Sequence, residues 1–280
     1  MFRSASIVAM SRHTLAAAAL VAAACTSAQA ATLAASYSFQ QTLQANEALA
    51  PALMAINPLG QNTFETATVN GQSQTVYHWV GNGGSSGLQA GLTLDATGLV
   101  PYNDYSVAMK VEFLSRAPFG GGWRRLIDTE GRQSDNGFYV NPANKLEVVQ
   151  GNPAAAGPST FTTPGFHDVV LSVSPAGAGV QEVKGYLDGQ LEFTKLLNVY
   201  SLDNANNPGH FLTFFADNVA ANAQQEYADG RIASLQIYSG AFDPTAAVPE
   251  PETLALSLAG LGLLVACRAR KHRAGAASKA

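Results

Sequence analysis

Tyr105-Ser106-Val107-Ala108-Met109-Lys110-Val111-Glu112-Phe113 is the stretch that decides the fold class. Tyr105, Val107, Met109, Val111 and Phe113 face one way, while Ser106, Ala108, Lys110 and Glu112 face the other. A period of two means a strand with one face in a core and one toward water. The signal recurs outward in both directions. Residues 34–39 set Tyr37 and Phe39 against Ser36 and Ser38, and strands are expected again at 63–69, 74–80 and 88–94. Downstream, 124–130, 137–141, 145–150, 166–174, 183–187, 191–194, 210–216 and 231–238 continue the pattern between clusters of Gly, Asn and Pro. No part of this body sustains a helical period. About a dozen short strands with frequent turn signals predict an antiparallel β-sandwich.

Two local readings go further. Asn70-Gly71 is a strong hairpin turn and makes the strands on either side of it natural partners. At Asp188-Gly189 a two-residue turn would set Leu187 opposite Gln190 and split the apolar residues between faces. A three-residue loop sets Leu187 opposite Leu191 and Gly185 opposite Phe193, so the bulged turn is expected. Residues 40–62, with Pro51, Pro58 and Gly60, have no clean period and read as a long surface excursion with about one helical turn.

Charge and cysteines narrow the function classes. Residues 31–247 hold nine Lys and Arg against 18 Asp and Glu, a net charge of −9. Such a body repels phosphate backbones, so nucleic acid is not an expected partner. Both cysteines, Cys25 and Cys267, lie outside it, so stability rests on core area rather than a disulfide. His78, His167 and His210 sit in separate strands with no second ligand at zinc spacing.

The termini describe handling at a membrane. Arg3, Arg12 and His13, the apolar run after them and Ala28-Gln29-Ala30 make residues 1–30 a secretory signal peptide. The β domain is expected over 31–243. A proline-rich linker follows at 244–252, then a single transmembrane helix at 253–267 and a basic cytoplasmic tail at 268–280.

Val248-Pro249-Glu250-Pro251, followed by Thr253-Leu254-Ala255-Leu256, Ala259-Gly260-Leu261-Gly262-Leu263-Leu264 and arginines, resembles the PEP-CTERM sorting signal of Gram-negative bacteria. The resemblance implies export through the Sec translocon, a transient stop in the inner membrane, and cleavage by an exosortase-type membrane protease. It implies a destination at the cell surface or in the extracellular matrix. The body resembles concanavalin A-like, laminin-G-type jelly rolls through the runs 167–173, 185–191 and 230–238. That fold hosts carbohydrate-binding modules, protein-adhesion modules and glucanases.

Each of those functions implies its own residues. A glucanase of this fold places acidic residues at alternate strand positions, and Asp128-Thr129-Glu130 is the nearest approach, at a strand end. The fold often holds calcium at a loop rim, for which Asp135-Asn136 and Asp217-Asn218 are the candidates, as well as ordinary turn formers. Sugar stacking needs aromatics near loops, and Trp123, Trp79, Tyr77 and Tyr102 qualify; the competing reading buries both tryptophans in the core. The leading expectation is a non-catalytic surface or matrix protein binding extracellular polysaccharide or a protein partner. A hydrolase using Asp128 and Glu130, and a purely structural matrix component, are the alternatives.

Overall fold

The computed structural model describes residues 31–81, 88–114, 122–220 and 228–245. Among these residues the chain is all β, in fifteen strands: β1 Thr32–Tyr37, β2 Met54–Ile56, β3 Thr63–Val69, β4 Gln72–Trp79, β5 Gly91–Asp95, β6 Tyr105–Phe113, β7 Arg124–Asp128, β8 Gly137–Val140, β9 Leu146–Gln150, β10 Asn152–Ala156, β11 His167–Gly177, β12 Val180–Leu187, β13 Gln190–Leu197, β14 Phe211–Phe214 and β15 Gly230–Ser239. They form two antiparallel sheets. One runs β13-β12-β11-β6-β15-β4-β3, with β1 also on β15; the other runs β10-β9-β8-β7-β14-β5-β2.

The alternation in β6 is the reason the sheets stack. Tyr105, Val107, Met109, Val111 and Phe113 enter the core, where they join Leu171, Ile232, Leu235 and Ile237 from the same sheet. Leu92, Leu126, Phe138, Val148, Leu212 and Phe214 face them from the other sheet. One continuous apolar cluster therefore lies between the layers, and its burial is the main favourable contribution to folding.

Asn70 and Gly71 both adopt positive φ (50° and 77°), and Val69 pairs directly with Gln72, giving the expected two-residue turn. The turn at Asp188-Gly189 corrects its expectation. It has two residues, at φ 50° and 78°, and Leu187 pairs with Gln190. The extra residue is absorbed one step later, by a bulge between Gly185 and Tyr186, which restores Gly185 opposite Phe193. Leu191 is left 49% exposed. The stretch 40–62 holds no helix; it contains β2, and its turns are tied by Ala50 N–H to Glu47 O (3.1 Å) and Leu53 N–H to Leu43 O (2.9 Å).

The chain divides into two compact units, 1–242 and 243–280. No helix among the described residues is long and apolar enough to cross a membrane. The expected signal peptide, the transmembrane segment 253–267 and the basic tail lie outside the described residues.

Candidate functional site: a polar groove where one sheet forks

β15 serves two strands on one side. Gly230 to Ile232 pair with Trp79 to Tyr77 of β4, whereas Leu235 to Ser239 pair with Tyr37 to Thr32 of β1. A bulge between Ile232 and Ser234 marks the parting point. β4 departs there with β3, β1 departs the other way, and a groove of about 470 Å³ opens between them on the solvent side of the sheet.

One wall of this groove is prearranged. Glu47 accepts hydrogen bonds from the Ser36 amide (2.5 Å) and hydroxyl (2.8 Å). Asn46 donates through Nδ2 to Ser36 Oγ (2.9 Å) and through its amide to Ser36 O (2.8 Å), and Ser38 Oγ donates to Asn46 Oδ1 (3.1 Å). Slight burial raises the Glu47 pKa, but the Ser36 hydroxyl and amide outweigh it, so the carboxyl sits below its ordinary range. The facing wall carries Asn70, Gln72 and Gln74, and the floor has Val69 and Ala233 beside Ser234 and Gln236. Val69 and Ala233 belong to a small apolar cluster with Val76. Lys110 is the one charged residue of the lining. A rim of uncharged donors and acceptors over a small apolar floor suits a ligand with hydroxyls at its edges and C–H groups on its face.

The acidic and amide residues singled out in the sequence gather elsewhere, around Arg125. This arginine is fully buried and bonds to Asp128, to the Tyr139 hydroxyl and to Ser134 O (3.0 Å), with Asp217 Oδ1 at 3.3 Å. Asp128 Oδ1 also accepts from the amides of Glu130 (3.1 Å) and Arg132 (2.8 Å). Burial pushes the Asp128 carboxyl up, while Arg125 and these amides pull it down. Arg132 donates to Asp217 O (2.6 Å) and Gln89 Oε1 (2.7 Å). Glu130 accepts from Ser134, from Asn136 Nδ2 (2.8 Å) and from Asn206 Nδ2 (3.5 Å). Asn218 donates to Asp135, so the two Asx pairs do meet. Their neighbours, however, are two guanidinium groups. Among the described residues no three His, Cys, Asp or Glu side chains group as metal ligands.

The four aromatics lie apart from one another. Trp79 is fully buried, donates to Ala228 O (2.6 Å) and stacks on Phe215 at 3.8 Å, so it has no face for a sugar. Tyr77 is buried against Phe39 and Phe64, its hydroxyl accepting from Asn62 Nδ2 (2.9 Å), and burial raises its pKa. Tyr102 is half-buried and stacks on His210 at 4.0 Å. Trp123 is half-buried with its edge on Tyr139 (5.6 Å), beside the Arg125 network. None of the four lines the groove. Its residues had a sequence signal all the same: outward positions of β1, β4 and β15 carry Ser and Gln where an ordinary solvent face carries Lys and Glu.

Residues 247–271 match the PEP-CTERM protein-sorting motif, which includes Val248, Pro249, Glu250 and Pro251. Such motifs mark exported proteins sorted to the cell surface and imply processing by exosortase, a membrane protease. No curated protein matches the chain. Among solved structures the chain is similar to botulinum neurotoxin type C, whose cell entry depends on interaction with two ganglioside molecules (12% identity, 77% of this chain and 49% of that chain, TM-score 0.48). It is also similar to the cellulose-induced protein Cip1 (14%, 72% and 95%, TM-score 0.44). A protein of unknown function from Shewanella oneidensis is a further likeness (11%, 88% and 99%, TM-score 0.45). The chain spans about half the length of the toxin chain it resembles. The sandwich itself rests on its own strand ladders.

Proposed function

We propose that this exported, PEP-CTERM-sorted chain is a non-catalytic surface or matrix protein whose sandwich binds extracellular carbohydrate in the groove between β1 and β4. The observation that carries the reading is the lining: one wall preset by Glu47 and Asn46, the other offering Gln72 and Gln74, whose side chains have no hydrogen-bond partner among the described residues. Gln72 is exposed and Gln74 half-buried, so both amides are open to a ligand, and polysaccharide hydroxyls can pair with such donors and acceptors. The non-catalytic part is supported by the state of Asp128 and Glu130. Both are buried, and both spend their lone pairs on the loop that holds them. In this proposal the segment 253–267 stops transfer in the membrane until exosortase cuts near Pro249-Glu250-Pro251.

A glycan array probed with the purified protein tests the binding. The double variant Gln72→Ala/Gln74→Ala should lose most of the signal while unfolding at an unchanged urea midpoint. Absence of any glycan signal from the parent protein sinks the proposal, and release of reducing ends from a bound glycan restores the hydrolase. Replacing Pro249, Glu250 and Pro251 by alanine should block processing; unchanged release from the membrane would count against exosortase.

A further inference from the structure

We infer that the groove selects uncharged polysaccharide and that the ion pair Lys110–Asp168 sets this selectivity. The inference rests on the carbohydrate reading above. Lys110 is the lining's single formal charge, and it does not act as a free cation. It lies directly across from Asp168 in the β6–β11 ladder, and its Nζ is 2.6 Å from Asp168 Oδ1. The Asp168 backbone is held in turn, its amide donating to Asp188 Oδ1 (2.9 Å). The lysine side chain is 17% exposed and the aspartate 59%. The carboxylate is thus the more solvent-exposed half of the pair, beside the lining rather than in it, and it neutralises the one cation that lines the groove.

The other charges on this face add to the effect. Arg231 bonds to Glu65 and lies 3.1 Å from Glu112, so one cation faces two carboxylates there. Glu47 stands behind the β1 wall, outside the lining, where it accepts from Ser36. Around the groove, then, Lys110 and Arg231 stand against Asp168, Glu65, Glu112 and Glu47, a local charge of −2 on a body already at −9. A uronate or sulfated polymer meets repulsion and gains no counter-charge, because both cations are already engaged. An uncharged chain meets neither effect. Asp168 acts here through Lys110; it is a positioning residue, and its charge is the selectivity element.

The test uses the full chain, the Asp168→Asn variant and the double variant Asp168→Asn/Lys110→Gln. Immobilised neutral glucan, mannan and galactan oligomers are compared with polygalacturonate and polymannuronate. The parent should retain a neutral glycan and no polyuronate. Asp168→Asn should keep the neutral signal and gain about 3- to 10-fold in polyuronate retention at low salt, where one freed surface cation acts with little screening. That gain should vanish in 1 M salt and in the double variant. Polyuronate bound by the parent as well as the neutral glycan, or a neutral-to-acidic ratio unmoved by Asp168→Asn, overturns the inference and leaves carbohydrate binding standing. If neither class is retained by parent or variants, the carbohydrate reading fails and takes the inference with it.

Discussion

Changing Gly185 to alanine adds one carbon, and the structure fixes where that carbon goes. A Cβ built there would lie 2.3 Å from Phe193 Cζ and 2.6 Å from Cε1, well inside contact distance. Phe193 is buried, with its ring edge-on to Phe138 at 6.0 Å. β13 is the outer strand of its sheet, so the ring can escape only toward solvent. Gly185→Ala should therefore forfeit most of the ring's burial, about 2–3 kcal/mol. Phe193→Ala alone should cost about 3–4 kcal/mol. In the Phe193→Ala background the obstruction is gone. Gly185 is not in the left-handed φ region, so alanine is compatible with its backbone. There Gly185→Ala should become neutral or stabilising by about 0.5 kcal/mol, through a less flexible unfolded chain. The two substitutions then couple by about 2–3.5 kcal/mol, read as urea midpoints in a double-mutant cycle at constant m-value. Additive effects within about 0.5 kcal/mol would refute the reading that the Phe193 ring packs directly over Gly185.

Asp128→Ala strips the acceptor from two loop amides and a partner from buried Arg125, and should lower stability by about 3–5 kcal/mol, measured by urea denaturation, with glycan binding intact at low denaturant. Trp79→Phe loses the bond to Ala228 O and part of the stack on Phe215; about 2 kcal/mol of destabilisation without any change in glycan affinity is expected from an interior residue. The Glu47 carboxyl lies below its ordinary 4.5 in the folded chain, so its hold on Ser36 is complete above that pH and is lost as pH falls through the folded value. Glycan binding titrated from pH 7 to pH 3 should weaken at the acid end, and Glu47→Gln should flatten that dependence.

How far the sequence led is visible in particular strands. β6 and β3 carry their own alternation, and both match their expected bounds; β6 is central and β3 is turned by Asn70-Gly71. β2 was illegible because three residues, Met54–Ile56, show no period, and only the ladder to β5 makes them a strand. The hairpin at Asp188-Gly189 shows where pattern reasoning stops. Hydrophobic facing demanded an extra residue, but the turn's left-handed pair fixed a two-residue loop, and the insertion moved into the strand. The candidate site was less legible than the fold. Asp128, Glu130, Asp135, Asn136, Asp217 and Asn218 do converge, yet Arg125 and Arg132, which decide what that convergence means, carry no motif. The groove depends on two strands parting from a third, a relation between residues nearly 200 positions apart.

The double duty of β15 has a consequence for timing. β1, the first strand, and β4, an early one, both find their central-sheet partner in the last strand of the sandwich. A chain that emerges amino end first therefore carries exposed edges on β1, β4 and β6 until Gly230–Ser239 arrives. Loop closure over such separations is slow, and unpaired edges are prone to pairing wrongly. The sorting motif begins at residue 247, only a few positions beyond β15. The last strand and the sorting motif therefore emerge almost together from a chain made amino end first. On the proposal that 253–267 stops transfer, the chain would be held beside exosortase while its final strand docks, and cleavage would release a molecule that has just become complete.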